Sequence, residues 1–205
     1  MHTDRSVCKN MSDTKEYIID QAYKLFLNHS YEAVSISDIS QAIGFTKGAL
    51  YHHFKNKEEL FKSVIDKYVQ FEGLEADIDN VTLAEWNKLS IDIADKILRR
   101  MFGLFEEFNA TSYVALVSEA FRHYPEFAQR MNNFFDSETE KTKQVLDNAI
   151  RRGEIRSDIN TEVLAGNYIA TSVGMASHLI HNKTIDEVLS NLQLQLQELY
   201  KLLKK

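Results

Sequence analysis

Proline and glycine are scarce in this sequence: one proline and seven glycines occur in 205 residues. A β-sandwich or an α/β fold normally needs many more of both residues at its turns. The single cysteine, Cys8, excludes an intrachain disulfide and a zinc site built from cysteines, which fits a reducing cytosol. The scarcity of turn residues therefore predicts an all-α chain.

Long apolar runs are also missing. No stretch approaches the roughly 20 apolar residues of a membrane span, and the first ten residues lack the apolar segment of a signal peptide. Hydrophobic residues make up 44% and charged residues 26% of the chain, values that are ordinary for a globular protein. We therefore expect a soluble, cytoplasmic protein.

The motifs of several large enzyme classes do not occur: the sequence contains no GxGxxG, no P-loop, no GxSxG and no HExxH. His178 and His181 are three residues apart, but no carboxylate or third histidine follows in register. A surface or interface pair is therefore a better interpretation of these histidines than a metal site. We expect no enzyme activity, no cofactor and no metal.

Negative charge predominates, but one segment departs from the average. The net charge of −6 argues against a protein that coats nucleic acid without specificity. From Thr46 to Lys57, however, the chain has no acidic residue, and it carries Lys47, Lys55 and Lys57 together with His52 and His53. Any contact with a polyanion must therefore be local to this segment.

Apolar residues recur at helical spacing in nine segments, several of which open with a capping residue. The predicted helices cover approximately residues 13–28, 35–43, 46–54, 56–68, 82–108, 111–123, 125–152, 161–181 and 184–204. Residues 73–81 are the least helical stretch and the best candidate for a domain boundary. Residues 1–11 lack periodicity and are interpreted as a flexible arm or tag.

The second and third predicted helices are short and are joined by a tight turn at Gly44. This layout is typical of a helix-turn-helix, whose second helix enters the major groove of DNA. Leu50 and Phe54 are four residues apart and would pack inward, which leaves Lys47, Gly48, Tyr51 and His52 directed outward. Gly48 costs a helix about 1 kcal/mol relative to alanine, a cost that makes sense if DNA must approach closely.

The stretch from Thr14 to Val64, with ISDISQAIGFTKGALYHHFKNKEELF at its centre, resembles the DNA-binding domain of the TetR family of bacterial transcriptional regulators. The resemblance implies that the helix opened by Thr46 contacts bases and phosphates, and that the lysine opening the next helix holds a phosphate. The DNA-contact residues carried over or added on this basis are Ser35, Thr46, Lys47, Gly48, Tyr51, His52, His53, Lys55 and Lys57.

This resemblance implies a division of the all-α chain into an N-terminal three-helix, helix-turn-helix domain and a C-terminal helical domain for ligand binding and dimerisation. We place the DNA-binding domain at residues 12–55, the connecting helix at 56–72 and the regulatory domain at 73–205. The expected partners are double-stranded operator DNA, a small and largely apolar effector, and a second copy of the chain.

Dimerisation is expected because one recognition helix reads only a few base pairs. Small residues recur every four positions on the eighth predicted helix, and leucines form a long stripe on the ninth. The interface residues predicted from these two patterns are Gly166, Ala170, Gly174, Leu192, Leu196 and Leu199. The alternative is that both stripes pack only within one chain.

Aromatic residues are concentrated between the fifth and the seventh predicted helix. A tightly filled core would explain many of them, whereas rigid aromatic walls with a few polar groups would instead form a ligand cavity. The family resemblance places an inducer pocket in this region, and the lining residues that we nominate are Phe105, Tyr113, Phe121, His123 and Phe134. A helical small-molecule-binding protein or an enzyme without DNA binding remains the alternative function.

Overall fold

The computed structural model describes residues 11–103, 110–181 and 184–205, which form nine α-helices, one 3-10 helix and no extended strand. The all-α prediction is therefore confirmed. The α-helices are α1 Met11–Asn28, α2 Ile36–Ile43, α3 Lys47–His53, α4 Lys57–Tyr68, α5 Leu83–Gly103, α6 Ala110–His123, α7 Pro125–Arg151, α8 Thr161–Ala176 and α9 Ile185–Leu203. Not one of these described helices has both the length and the hydropathy needed to cross a membrane.

Side-chain caps set where several of these helices begin. Ser35 opens α2 and Thr184 opens α9, and each forms a reciprocal capping box with an acid three residues later. Thr46 and Asn56 cap α3 and α4 by accepting a hydrogen bond from a backbone N–H of the first turn. Because these caps are local in sequence, the helix starts follow directly from the residue types.

The predicted end of one long helix differs from the structure. The eighth helix leaves α-helical geometry at Ala176, and Ser177–His181 continues it as a 3-10 helix. The end predicted for the fifth helix, near Phe108, falls outside the described residues.

The chain divides into two compact units, and the division is not the one expected from the sequence. The first unit contains the chain up to Gln70 together with Thr111–Ala128, and the second contains Phe71–Ala110 and Gln129–Lys205. Residues 111–128, assigned above to the regulatory domain, therefore group with α1–α4. Side-chain contacts also join these distant segments: the Tyr124 hydroxyl, for example, donates to the Asp66 carboxylate at 3.2 Å.

The first unit is built on α1, which packs against α2 and α4, while α2 packs against α3. Its interior is aromatic: Tyr23 stacks on Tyr68 with ring centroids 3.9 Å apart, and Phe26 meets Phe61 edge-on at 5.1 Å. These four side chains are all buried. Paired rings of this kind fill the space between helices and fix their positions.

In the second unit α9 packs against both α5 and α8. The buried cluster at its centre consists of Val81, Leu83, Trp86, Val145, Leu146, Ala149, Ile155, Ala165, Tyr168, Leu192, Leu196 and Leu203. A half-buried carboxylate anchors the start of α5, because Glu154 accepts hydrogen bonds from the Leu83 N–H and the Tyr200 hydroxyl. Both partners of Glu154 come from segments far away from it in sequence.

Candidate nucleic-acid interface and ligand cavity

The turn between α2 and α3 depends on a glycine in the left-handed region. Gly44 has φ of 70°, and its N–H reaches the carbonyls of Ser40 and Gln41. The next residue, Phe45, donates its N–H to the same Ser40 carbonyl at 3.0 Å. These bonds close α2 tightly and let Thr46 start α3 two residues later.

One face of α3 is buried and the other is exposed. Leu50 is fully buried, and Phe54, which follows the helix, is 1% exposed. Residues on the opposite face are accessible, and Tyr51 is 51% exposed. The exposed set consists of Thr46, Lys47, Gly48, Ala49, Tyr51 and His52.

Gly48 is not required by the packing of the chain itself. A Cβ placed on Gly48 would meet only the Thr46 Oγ1 atom, at 3.9 Å, which is an ordinary van der Waals distance. The φ angle of Gly48 is not positive either, because Gly44 and Gly153 are the positive-φ glycines among the described residues. Neither crowding nor backbone conformation within the chain therefore explains glycine at this helical position.

His53 lies at the edge of this surface and is half-buried. Burial lowers the pKa of His53, and the neighbouring His52 and Lys15 lower it further. The two histidine rings meet edge-on, with centroids 5.4 Å apart. Since a lowered pKa favours the neutral imidazole, His53 offers a hydrogen-bonding group rather than a positive charge near pH 7.

Two of the residues predicted to contact phosphates also have structural roles. The Ser35 hydroxyl donates to the Asp38 carboxylate at 2.6 Å, and this hydrogen bond lowers the pKa of Asp38. The backbone N–H of Lys55 donates to Glu59 at 2.7 Å, while the Lys55 side chain remains exposed. Ser35 and Lys55 therefore hold the entries to α2 and α4 in place.

Lys57 is held in a defined position by the segment between α1 and α2. Its Nζ donates to the Tyr31 carbonyl at 2.8 Å and lies 4.1 Å from the centroid of the Tyr31 ring. The same tyrosine ring also contacts His123, whose ring centroid is 4.4 Å away. His123 Nε2 in turn lies 3.1 Å from the Glu119 carboxylate. Residues on α6 are thus linked to Lys57 through one tyrosine.

The second unit contains an apolar cavity of about 190 Å³. Its described walls come from α5, α7, α8 and α9 and from the segment that follows α4. Aromatic rings at the walls belong to Phe71, Trp86, Phe134, Phe135 and Tyr168. The aliphatic part of the lining includes Ile93, Ala94, Ile97, Leu98, Val188, Leu189 and Leu192.

Several polar groups in the cavity lining are already engaged, whereas the buried Tyr168 hydroxyl has no hydrogen-bond partner among the described residues. The hydroxyls of Ser90, Thr142 and Ser172 each donate to the carbonyl four residues earlier in their own helix. The Glu72 carboxylate is bridged by Lys96 and Arg100, and the hydrogen bond from Lys96 lowers the pKa of Glu72. A charged ligand would therefore find no described counter-ion free to pair with it.

The five residues nominated for the ligand cavity are not brought together. Phe134 lines the cavity, and Phe105 lies outside the described residues. Tyr113, Phe121 and His123 belong to the first unit, and the cavity described here does not include them in its lining. Phe121 is 47% exposed and meets Phe127 edge-on. Sequence reasoning missed Phe71, because it follows α4 outside any aromatic cluster.

The residues predicted for the dimer interface fall into two groups. Gly166, Ala170 and Gly174 lie on an exposed face of α8, and a Cβ on either glycine would meet nothing within 4 Å. By contrast, Leu192 and Leu196 are 2% and 1% exposed within the single chain, and Leu199 packs against the same core. Side chains that are already buried leave almost no surface for a second copy, so Leu192 and Leu196 pack within this chain, whereas an interface role for the half-buried Leu199 stays a prediction. The exposed leucines of α9 are Leu194 and Leu202.

Comparison with protein families decides the family of the chain. Residues 18–64 match the family of bacterial regulatory proteins of the tetR type, and residues 94–189 match the tetracyclin repressor-like C-terminal domain. The chain belongs to the TetR family of bacterial transcriptional regulators. Its curated relatives include the regulator TtgR of Pseudomonas putida, which is 24% identical over 77% of this chain and 76% of TtgR. The repressor ComR of Escherichia coli is 39% identical over 34% of this chain and 36% of ComR.

Solved structures share the fold of this TetR-family protein over nearly its whole length. MexZ, a repressor of Pseudomonas aeruginosa, has a TM-score of 0.68 at 17% identity, covering 95% of this chain and 96% of MexZ. The ketosteroid regulator KstR2 of Mycobacterium tuberculosis has a TM-score of 0.64 at 17% identity, covering 97% and 99%. A complex of SmeT with triclosan has a TM-score of 0.56 at 20% identity, covering 91% and 89%.

Proposed function

We propose that this TetR-family regulator binds operator DNA through the exposed face of α3 and represses transcription until an effector weakens that binding. The observation that carries the proposal is Gly48, which is exposed within a helix and has free space for a Cβ. Such a glycine costs about 1 kcal/mol of helix stability relative to alanine. Close approach of the DNA major groove to α3 accounts for that cost. Acting on chromosomal operators, the protein would work in the cytoplasm.

Base and phosphate contacts are assigned to different parts of the surface. Lys47 and the Tyr51–His53 segment extend from α3 and would read base edges, with Thr46 at the start of the helix. Ser35, Lys55 and Lys57 lie at the helix entries and would position the DNA backbone. Lys57 suits this role because its contacts with Tyr31 already restrict the conformations of its side chain. Less side-chain entropy is therefore lost when the ammonium group binds a phosphate.

The Gly48→Ala variant tests the proposal most directly. The free protein should be unchanged or up to about 1 kcal/mol more stable, because alanine favours the helix and fits without a clash. Operator affinity should fall by at least tenfold, because the new methyl group occupies space needed by DNA. Fluorescence anisotropy on selected operator fragments, combined with urea denaturation, measures both. Unchanged affinity in the stabilised variant would refute the proposed docking of α3.

Lysine variants separate sequence reading from backbone contact. Lys57→Ala should weaken binding to all DNA sequences and reduce the slope of log K against log salt by about one unit. Lys47→Ala should instead relax the preference for operator over random DNA. Lys88→Ala, which removes an exposed lysine from α5, is the matched control for loss of one charge. If the control changed the salt slope as much as Lys57→Ala, the assignment of Lys57 would fail.

A homodimer is the second part of the proposal. Helix-turn-helix dimers bind two half-sites about 34–36 Å apart, so an interface between copies is needed for operator specificity. The exposed face of α8 suits a close helix contact, because Val163 and Val173 are 59% and 52% exposed beside Gly166 and Ala170. On α9, Leu202 is 72% exposed. Two copies that join these faces would cover the apolar surface.

Sedimentation of the parent and of Ala170→Glu tests this interface. The parent should be a dimer at micromolar concentration, and the variant should be a monomer with operator affinity at least a hundredfold lower. Glu162→Gln, on the same helix, controls for a change of one charge near this surface. A parent that sediments as a monomer would rule out the dimer.

The effector is proposed to bind in the cavity of the second unit. Apolar walls and fully paired carboxylates favour a neutral, largely apolar molecule. Three compounds of matched size (toluene, benzoate and benzylammonium) should separate by charge in a thermal-shift assay. Only toluene is expected to raise the unfolding temperature, and equal shifts with a charged compound would contradict the assignment. A screen of apolar metabolites for operator release would then identify the natural effector.

A further inference from the structure

One wall of the cavity is formed by a segment without regular secondary structure. After α4 the chain passes through Phe71–Leu74, here named the strap. Phe71, Glu72 and Leu74 all contribute to the cavity lining. Because the strap lacks helical hydrogen bonds, its position must be fixed by other groups.

Glu138 of α7 supplies the main fixing contact. This side chain is 6% exposed, and its Oε2 accepts the Leu74 N–H at 2.9 Å. Its Oε1 accepts from Lys141 Nζ at 2.7 Å, and the same Nζ donates to the Leu74 carbonyl at 3.1 Å. The Glu138–Lys141 pair therefore satisfies both backbone polar groups of Leu74.

Gly73 allows the strap to lie this close to Glu138. A Cβ on Gly73 would come 2.5 Å from Glu138 Oε1 and 3.3 Å from Lys141 Nζ. The first distance is one that real Cβ atoms essentially never show, so any larger residue would displace the strap or the carboxylate. Glycine is needed here for close approach rather than for an unusual backbone angle.

The strap in turn places Phe71 as an aromatic wall. The Phe71 ring lies 5.7 Å from the Phe134 ring and 6.1 Å from the Phe135 ring, and it is 37% exposed. It thus separates the cavity from solvent at this point. With Phe71 in place the cavity measures about 190 Å³. A cavity of about 150 Å³ is enough to bind benzene, so this one suits a ligand with a single ring.

We infer that Glu138 is a positioning residue that, through its hydrogen bond to Leu74, holds Phe71 in the cavity wall and so limits the size of the apolar ligand that the cavity accepts. This inference rests on the proposed role of the cavity as the effector site. It assigns ligand selectivity to a buried carboxylate that does not need to touch the ligand.

Quenching of Trp86 fluorescence by two neutral probes tests the inference. Trp86 is the single tryptophan of the sequence and lines the cavity, so a bound iodinated compound quenches it directly. The probes are iodobenzene, with one ring, and 4-iodobiphenyl, with two. In the parent we expect the two-ring probe to bind at least tenfold more weakly than the one-ring probe.

Glu138→Ala should largely remove this selectivity without disturbing the rest of the cavity. The affinity for iodobenzene should stay within about threefold, while that for 4-iodobiphenyl should rise at least tenfold. Glu138→Gln retains an acceptor for the Leu74 N–H, so its ratio of the two affinities should remain near that of the parent. Lys143→Ala, which breaks an ion pair with Asp147 on the same helix, is the control.

Two further variants keep the inference testable if Glu138→Ala folds poorly. Phe71→Ala removes the wall itself, and Gly73→Ala pushes the strap away from Glu138; both should favour the two-ring probe as Glu138→Ala does. If these variants weaken both probes together in proportion to lost stability, the inference is overturned. If neither probe quenches the parent, the proposed effector site fails, and the inference fails with it.

Discussion

Aromatic side chains fill the interior of the first unit, whereas in the second unit they surround a cavity. In the first unit, each ring of the Tyr23–Tyr68 and Phe26–Phe61 pairs is at most 8% exposed and rests against another ring. In the second unit, Phe134 and Phe135 are only half-buried and stand around a cavity of about 190 Å³. Aromatic content alone therefore does not distinguish a filled core from a cavity.

This difference matches the tasks proposed for the two units. A surface that reads DNA needs its helices held at fixed positions, which dense packing achieves. A unit that responds to a ligand needs vacant apolar space, and that space lowers its stability because the lining atoms lack contacts. We therefore expect any change in interior volume to destabilise the first unit strongly. In the second unit, loss of volume should cost less stability, and added volume should increase stability.

The largest expected effect is the loss of a ring from the filled interior. Phe61 is fully buried and contacts the rings of Phe26 and Tyr31, so Phe61→Ala should lower the free energy of unfolding by about 3–5 kcal/mol. Phe134→Ala should cost less than half as much, because this ring already faces empty space. Urea denaturation of both variants measures the difference. Equal costs would mean that the two interiors are packed alike.

Adding volume should have opposite effects in the two units. Ala22 is fully buried in the first unit, so Ala22→Leu should destabilise by about 1–3 kcal/mol through overpacking. Ala94 lines the cavity, so Ala94→Leu should stabilise by about 1 kcal/mol and should compete with iodobenzene. Thermal unfolding with and without the probe measures both effects. A destabilised Ala94→Leu variant would contradict the presence of usable space beside α5.

Two glycines with positive φ form a matched pair for which the expected effects are smaller. Gly44 and Gly153 have φ of 70° and 72°, and a Cβ on either would meet nothing closer than 4.0 Å. Alanine at either position should therefore cost about 1 kcal/mol for backbone conformation alone. Only Gly44→Ala should also weaken operator binding, because Gly44 sets the turn before α3. Similar DNA affinities for the two variants would argue against a precise requirement at that turn.

The smallest effect concerns alkaline pH and should be similar in the two units. Burial raises the pKa of Tyr23 to about 12, and burial is also the main reason why the pKa of Tyr168 rises to about 12. The folded protein keeps these protons between pH 10 and 12, where the unfolded chain releases them. Stability should therefore be full below pH 10 and should fall as the pH rises towards 12.

Tyrosine-to-phenylalanine variants measure this alkaline contribution. At pH 10.5 each buried tyrosine should account for a loss on the order of 1 kcal/mol, which Tyr23→Phe or Tyr168→Phe would remove. Unfolding temperatures recorded from pH 8 to 11 give the comparison, with the exposed Tyr51→Phe as the control. If the unfolding temperature of the parent did not change across this range, the two tyrosine hydroxyls would not have raised pKa values in the folded protein.

The sequence predicted best those features that depend on neighbouring residues. Caps such as Ser35 and Thr46 act within one turn of helix, so the helix starts could be recognised from residue types alone. The exposed face of α3 followed from the spacing of Leu50 and Phe54, which are both buried. These features need no knowledge of distant segments.

Features that depend on distant segments were not predictable. The apolar stripe of α9 identifies Leu192 and Leu196 as residues that pack, but periodicity does not say whether the partner is this chain or another copy. His123 belongs to an aromatic-rich region, yet it packs against Tyr31, about ninety residues earlier. Phe71 faces the cavity only because Glu138, 64 residues after Leu74, holds the strap.

The discontinuous first unit has a consequence for the order in which the protein is made. The unit needs Thr111–Ala128 to complete it, so a ribosome that has reached Gln70 must add 58 more residues (128 − 70) before the last part is available. At about 5–20 residues per second this takes roughly 3–12 s. During that interval Asp66 lacks Tyr124, and Lys62 lacks Glu126. In a nascent chain, α1–α4 are therefore synthesised before the segment that completes their unit. The first unit can reach its final structure only after more than half of the chain has been translated.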